Sequence, residues 1–170
     1  MTPASDTPPL AAAAIPEGFR ARNFGDGFIG VNGPLYMKRL QPGVQLGFRV
    51  EPRHCNPMGI CHGGMMATFC DMLLPISAHY LSGDLAKRFL PTISLQVDFL
   101  GPTPLGSWVQ GEAQLLRATR SMVFMQGLVT ADGTHVARVS GIFKIGPSFE
   151  DALGPGAARR AGRVPEPPPG

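Results

Sequence analysis

The segment at residues 62–83 limits the possible folds of this 170-residue chain more than any other part of the sequence. Its sequence, HGGMMATFCDMLLPISAHYLSG, is long enough for a helix of about five turns and carries apolar residues on almost every face. A helix of this kind is stable in water only when other elements cover most of its surface. We therefore expect the rest of the fold to enclose it.

Five segments outside this helix have the sequence pattern of β-strands. Four alternate apolar and polar residues, and 122–129 is apolar on both faces, which predicts a central strand; the five are 44–50, 93–99, 109–115, 122–129 and 137–145. Asp132-Gly133 predicts a hairpin between the last two, and Gly30 to Leu40 predicts a further, N-terminal strand. The fold class expected from this order is α+β, with an antiparallel sheet of about five to six strands wrapped around one long central helix.

The two ends of the chain differ in composition from this core. Ten of the 18 prolines lie before Ala21 or after Lys144, in small-residue segments without periodicity. Such segments bury too little apolar surface to offset their ordering entropy. The sequence therefore predicts one domain at residues 28–147, between an N-terminal tail and lead-in (1–27) and a Pro/Gly-rich C-terminal tail (148–170).

The charge and cysteine content exclude several classes of protein. The net charge is +3, and no Lys/Arg run or basic stripe with interleaved aromatics suggests nucleic acid as a partner. No stretch approaches the length of a membrane span, and the N-terminus lacks the features of a signal peptide. Three cysteines without CxxC spacing predict reduced thiols, no disulfides and a cytoplasmic location.

The start of the apolar helix has the features of an anion-binding site. Gly63 and Gly64 carry no side chains that would cover the unpaired backbone N–H groups of the first turn. Donors of this kind stabilise a developing oxyanion. The structural alternative is a helix start at which glycines permit close packing.

Asp71 places a carboxylate within the same apolar helix, where an unpaired charge is costly. It lies nine residues after His62, which corresponds to about 900° of rotation and about 13 Å of rise, so it is on the opposite side of the helix. If the start of the helix and the Asp71 carboxylate serve the same active site, two subunits must contribute to it, which predicts a homodimer. The alternative is a boundary carboxylate that hydrogen-bonds to the backbone or water. Pro75 predicts a helix bend that either aims this carboxylate or is merely tolerated.

The string N-P-M-G-I-C-H-G-G at residues 56–64, followed by Asp71 and by L-P-T-I-S-L-Q-V-D-F-L-G-P-T-P-L-G at 90–106, resembles the hotdog-fold acyl-CoA thioesterases of the phenylacetate-degradation (PaaI-like) type. The resemblance spans about residues 34–146. It implies that two subunits join their sheets edge to edge and that dimers commonly pair into tetramers. It also implies that each active site crosses the dimer interface.

The activity implied by the resemblance is hydrolysis of an acyl-CoA or aryl-CoA thioester to free CoA and a carboxylic acid. Asp71 would act as general base on water, with nucleophilic attack on the carbonyl as the other option. The N–H groups of Gly63 and Gly64, with the helix dipole behind them, would bind the carbonyl oxygen. CoA is part of the substrate, so no cofactor or metal is implied.

Three further catalytic positions follow from the same resemblance. Asn56 matches an asparagine that positions the carbonyl or the water, and His62 matches a histidine that orders the loop. Thr92 stands where relatives often carry a serine that holds the attacking water.

His54, Cys55, Cys61 and His62 together do not have a familiar zinc spacing.

Two further sets of residues are substrate-binding candidates. Basic residues in or beside loops could pair with the CoA phosphates, with solvated surface charges as the alternative; they are Lys87, Arg88, Arg117 and Arg120. Apolar helix residues could line the acyl pocket, with core packing as the alternative; they are Met65, Met66, Phe69 and Leu73.

Two other functions remain open at this point. One is a non-catalytic acyl-CoA-binding module, since fold alone does not establish function. The other is a hydratase or dehydratase on a related fold, which would ordinarily use an Asp/His pair. The carboxylate of Asp71 favours the thioesterase, because a binding module has little use for it.

Overall fold

The computed structural model describes residues 14–153, which form one antiparallel sheet and three α-helices. The strands are β1 (Arg20–Arg22), β2 (Leu35–Arg39), β3 (Val44–Arg49), β4 (Thr92–Phe99), β5 (Trp108–Ala118), β6 (Met122–Ala131) and β7 (Thr134–Lys144). The helices are α1 (Phe28–Asn32), α2 (Gly63–Leu81) and α3 (Phe149–Leu153), with short 3-10 turns at Pro52–His54 and Gly83–Leu85.

The sheet order is β1-β2-β3-β5-β6-β7-β4, and every neighbouring pair is antiparallel. The predicted α+β architecture is confirmed, because this sheet encloses α2. Within the described residues the sheet has seven strands rather than five to six. β4 follows α2 in the chain but lies at the edge beyond β7, and this placement leaves one side of β4 unpaired.

Helix α2 lies against the sheet because its apolar residues are matched by glycines in the strands. Leu73 and Leu74 are fully buried. A Cβ added at Gly111 in β5 would come within 2.6 Å of Leu73 Cδ2, and one added at Gly141 in β7 within 2.7 Å of Leu74 Cδ1. A side chain at either position would push the helix away from the sheet. The helix continues through Pro75 to Leu81 without interruption.

The described fold extends beyond the predicted domain limits. Part of the predicted lead-in forms β1, in which Ala21 pairs with Tyr36, and Phe19 packs edge-on against Trp108 with ring centroids 5.0 Å apart. Beyond residue 147, α3 adds a short helix. Residues 1–13 and 154–170 of the predicted tails lie outside the described residues.

The strand predicted at residues 30–40 is shorter in the structure. Its first part is α1, and the strand proper is β2. Gly33 and Pro34 separate the two elements, because proline has no N–H with which to continue a helix. No helix in the part of the chain that the structure describes has the length and apolarity needed to cross a membrane.

Candidate active site

Within residues 14–153, the start of α2 has one backbone donor without a partner, at Gly63. His62 is the N-cap, and its ring Nδ1 accepts the N–H of Gly64 at 2.9 Å. The N–H groups of Met65 and Met66 donate to the His62 carbonyl at 2.9 and 3.1 Å. Among the described residues, the Gly63 N–H has no partner.

The prediction that both glycines present free donors is therefore wrong for Gly64. The extended backbone of His62, with ψ of 138°, turns its ring over the first helical turn, where it caps that N–H. His62 thus caps the helix start, and its match to a histidine that orders the loop stays a prediction from the resemblance. A ring rotamer of this kind leaves no signal in the sequence.

The loop before α2 positions Asn56 through its own side chain. Asn56 Oδ1 accepts the N–H of Met58 at 2.9 Å, and the Asn56 backbone N–H donates to the Ile60 carbonyl at 2.9 Å. Gly59 makes the turn with φ of +72°, a conformation that favours glycine. The side-chain carbonyl is thereby used within the loop, which leaves the Asn56 amide NH₂ as the available donor.

The buried His54 stabilises this loop through hydrogen bonds to the backbone. Its Nδ1 accepts the Glu51 N–H at 3.0 Å, and its Nε2 lies 3.0 Å from the Asn32 carbonyl. Because Nδ1 accepts a backbone N–H, the proton must be on Nε2 in the neutral ring. The His54 carbonyl accepts the N–H of His62 at 2.7 Å, which joins the loop to the helix start. This histidine, considered in the sequence only as a metal ligand, is a structural residue.

No group of three or more His, Cys, Asp or Glu side chains within residues 14–153 is arranged to hold a metal ion. Both ring nitrogens of His54 are already engaged with the backbone. The Cys55 and Cys61 thiols lie against the carbonyls of Glu51 and His62, at 3.5 and 3.8 Å.

Two histidines, the buried His54 and the partly buried His79, predict that the protein loses stability on mild acidification. Burial, with the nearby charge of Arg53, lowers the pKa of His54, and burial lowers the pKa of His79, whose Nε2 lies 2.9 Å from the Arg88 carbonyl. The unfolded chain therefore binds more protons than the folded one below about pH 6.5, so stability falls as pH falls. We expect the urea-unfolding free energy to decrease from pH 7.5 to pH 5.

Carboxylates titrate mainly below this range, so their contribution is separable. A His54→Gln/His79→Gln double variant should show a flatter pH dependence than the wild type over the same range. Equal unfolding free energies of the wild type at pH 7.5 and pH 5 would contradict the assignment.

Asp71 is held by the edge strand. It is partly buried in α2, and its Oδ1 accepts a hydrogen bond from Thr92 Oγ1 at 2.7 Å. Thr92 points toward the helix because it pairs with Phe143, a fully buried residue on the same face of the sheet. The structure therefore brings together two residues that the sequence predicted for one site. The second carboxylate oxygen, Oδ2, has no partner among the described residues.

Within one chain, the Asp71 carboxylate and the Gly63 N–H lie far apart along α2. They are eight residues apart in α2, which corresponds to about 12 Å along the helix axis. Strand β4 reaches both positions: Thr92 at its start contacts Asp71, and the Phe99 ring at its end would lie 3.4 Å from a Cβ on Gly63. One chain therefore holds the donor and the carboxylate at a separation too large for a single carbonyl.

The four helix residues predicted to line the acyl pocket instead belong to the hydrophobic core. All four are buried; they are Met65, Met66, Phe69 and Leu73. The Phe69 ring packs against Phe48 with centroids 5.1 Å apart, on the face of α2 that lies on the sheet. Their role as pocket lining is corrected, and the core alternative describes them. The face that bears Asp71 also carries Ala67 and Thr68, which are only partly buried.

The four basic candidates gather at the Asp71 end of the sheet. The segments that carry them flank the end of β7: the Ile145 N–H donates to the Ser121 carbonyl and the Gly146 N–H to the Phe89 carbonyl, both at 2.8 Å. Lys144, which the sequence reasoning missed, pairs with Met122 in the same region. The basic residues at this end are Lys87, Arg88, Arg117, Arg120 and Lys144. Helix α3 adds the carboxylates of Glu150 and Asp151.

An antiparallel sheet around one long helix is the architecture of the hotdog fold. The sequence matches the family model described as Thioesterase superfamily over residues 58–137. A Pseudomonas aeruginosa protein that carries the provisional name of an esterase is 24% identical over 132 residues, which are 77% of this chain and 97% of that protein. The family model covers 80 of the 170 residues, and the chain resembles the thioesterase superfamily over this part of its sequence.

Solved structures share the fold. The phenylacetic acid degradation protein PaaI from Thermus thermophilus, solved as a point mutant, superposes with a TM-score of 0.59 at 22% identity and covers 71% of this chain and 99% of its own. A hypothetical thioesterase from Streptococcus pneumoniae, solved with coenzyme A, gives 0.58 at 17% identity over 67% of this chain and 87% of its own. The predicted hotdog fold is confirmed.

Proposed function

We propose that this protein hydrolyses an acyl-CoA or aryl-CoA thioester at a site shared by two subunits. The observation that carries this proposal is the Thr92–Asp71 hydrogen bond at one end of β4, with the free Gly63 N–H beside the other end. The family match and the coenzyme A in the Streptococcus pneumoniae relative support the substrate class. The reaction requires neither a cofactor nor a metal.

The edge position of β4 supports the shared site. An unpaired strand edge is a template for pairing with another chain. Ile93 and Phe99 are exposed on β4, and Leu100 is exposed directly after it. Antiparallel pairing of two β4 strands about a two-fold axis brings the Thr92 end of each strand to the Phe99 end of the other. Asp71 of one subunit then lies near Gly63 of the second, and the dimer has two complete sites.

The proposed chemistry assigns one task to each group. The thioester carbonyl oxygen accepts the Gly63 N–H, with the dipole of α2 behind it, and Asn56 donates from its amide. The Asp71 carboxylate takes a proton from a water as that water attacks the carbonyl carbon, while Thr92 holds Oδ1 in place. When the tetrahedral intermediate collapses, the C–S bond breaks and the CoA sulfur receives the proton. The products are a carboxylic acid and CoA.

The surface charges support a polyanionic leaving group. Five basic residues gather at the Asp71 end of the sheet, against two carboxylates from α3 and that of Asp84 in the turn after α2, and the CoA phosphates would bind there. At the Gly63 end, Phe99 is 57% exposed and Met58 in the Asn56 loop is 81% exposed. These apolar side chains replace the buried helix residues as candidates for contact with the acyl group.

The test is thiol release from a panel of short, medium, long and aryl acyl-CoA esters, with binding measured in parallel. Turnover of at least one ester supports the proposal. Binding without turnover across the panel would instead identify an acyl-CoA-binding module. Conversion of an enoyl-CoA without thiol release would identify a hydratase.

Replacement of Gly63 by proline is expected to lower kcat about 10²- to 10³-fold, because it removes one oxyanion donor. The helix start accepts proline, since Gly63 is the first helical residue and His62 has the extended backbone that precedes proline well. The matched control is Gly63→Ala, which keeps the N–H and places its Cβ at an ordinary 3.4 Å from Phe99. Equal kcat values for the two variants, with circular dichroism showing both folded, would exclude Gly63 as the donor.

A further inference from the structure

Cys55 and Cys61 lie opposite each other at the base of the Asn56 loop. They form an isolated antiparallel bridge outside the main sheet. The hydrogen bonds on either side of them are His62 N–H to the His54 carbonyl, at 2.7 Å, and Asn56 N–H to the Ile60 carbonyl, at 2.9 Å. The cysteine pair itself is therefore a non-hydrogen-bonded pair, the closer of the two kinds in an antiparallel ladder.

This pairing places the two cysteines within reach of a disulfide. Residues at a non-hydrogen-bonded position have Cα atoms about 4.5 Å apart and side chains on the same face. Disulfides join cysteines whose Cα atoms are about 4.4–6.8 Å apart. The backbone of the loop therefore meets the distance requirement without rearrangement.

Both thiols are free in this structure, and their surroundings differ. Cys55 is partly exposed, whereas Cys61 is only 9% exposed. Burial raises the pKa of Cys61 to about 11, and the nearby Cys55 adds to that rise. Cys70 lies fully buried in α2, where burial raises its pKa to about 12. Cys55 is therefore the thiol that a soluble reagent reaches first.

We infer that Cys55 and Cys61 form an oxidative modification site, at which a low-molecular-weight disulfide converts the pair to an intramolecular disulfide that closes the Asn56 loop. The Cys55 thiolate attacks one sulfur of the reagent, which breaks its S–S bond and releases one thiolate. The Cys61 thiolate then attacks the Cys55 sulfur and displaces the second. Two protein thiols are oxidised, and one reagent disulfide is reduced to two thiols. The inference does not depend on the reaction that the protein catalyses.

In the oxidised protein, the disulfide covalently fixes a loop that only hydrogen bonds hold in the reduced protein. The disulfide closes a ring of residues 55–61, which contains Asn56 and the Gly59 turn. Because the cross-link matches the folded geometry and restricts the unfolded chain, Tm should be equal or higher after oxidation. Exchange should be faster at pH 9 than at pH 7.5, since the attacking group is a thiolate.

The experiment treats the reduced full-length protein with glutathione disulfide and counts thiols after denaturation in acid. We expect the count to fall from three to one, with loss of two mass units and full reversal by dithiothreitol. Cyanogen bromide cleavage after Met58 and Met65 places Cys55 in fragment 38–58 and Cys61 in fragment 59–65, so the disulfide is identified by the link between these two fragments. Cys70 remains in fragment 67–72.

The control variants separate this pair from the third cysteine. Cys70→Ala should keep the same exchange, with a count that falls from two to zero, and Cys61→Ser should stop at a glutathione adduct on Cys55. A wild-type protein that keeps three thiols, stops at the adduct, links Cys70, or forms only disulfides between chains would overturn the inference. So would a lower Tm of the oxidised protein.

Discussion

Asp71→Asn is expected to lower kcat by about 10²- to 10⁴-fold, the range ascribed to a general base, while substrate binding is retained. The asparagine side chain keeps an oxygen that can accept the Thr92 hydroxyl now 2.7 Å from Oδ1, so the local structure should persist. What it loses is the ability to take a proton from water at the position of Oδ2. The measurement is steady-state thiol release from the best ester of the panel, with binding of a non-hydrolysable CoA ether in parallel.

Asp84→Asn provides the matched control for this variant. Asp84 is an exposed carboxylate in the turn after α2, and the same substitution there changes the net charge equally. We expect its kcat to stay close to that of the wild type. If Asp71→Asn turned over within about tenfold of Asp84→Asn, Asp71 would not be the base.

Periodicity is sufficient to predict the large elements of this fold. The helix is visible because its apolar run is long. Four strands are visible because their alternation continues over six or more residues, and the strand at 122–129 because it is apolar on both faces. β1 is only three residues long, too short for alternation to be recognised, and pairs with β2 at a sheet edge. The split of residues 30–40 into α1 and β2 depends on Gly33-Pro34, a local break within a segment of similar composition.

For helix α2, the hydrophobicity of the sequence does not predict which face packs against the sheet. Because α2 is apolar on nearly all sides, its sequence leaves both pocket lining and core packing open for Met65, Met66, Phe69 and Leu73, and the structure places them in the core. Strand glycines such as Gly111 decide the orientation, and they act only through tertiary packing.

The spacing of the site residues is more predictable than their hydrogen bonds. The offset of nine residues from His62 to Asp71 is enough to infer that one chain separates the two functional groups. The capping of Gly64 by the His62 ring and the anchoring role of His54 depend on side-chain rotamers and on burial. The contribution of Lys144 to the basic group depends on strand register, which appears only when β7 is aligned with β6.

Mixed dimers of two inactive variants are expected to recover activity if the site is shared. A dimer of Asp71→Asn lacks the base at both sites, and a dimer of Gly63→Pro lacks the oxyanion donor at both. In a mixed dimer, Gly63 of the first variant meets Asp71 of the second, which restores one site, and the other site carries both defects. Random mixing in equal amounts should therefore recover about one quarter of the wild-type kcat per site, well above either parent.

The recovery depends on how β4 pairs, so the experiment also tests the position of the two-fold axis. Co-expression of the variants with different affinity tags allows the mixed dimer to be isolated before thiol release is measured, so subunit exchange need not be assumed. As a negative control, Asp71→Asn paired with an Asp71→Asn/Gly63→Pro double variant should remain inactive, because no site in that dimer has a base. An isolated mixed dimer with no more activity than its parents would mean that Asp71 and Gly63 do not act on the same thioester. It would exclude β4 pairing as the arrangement that assembles the active site.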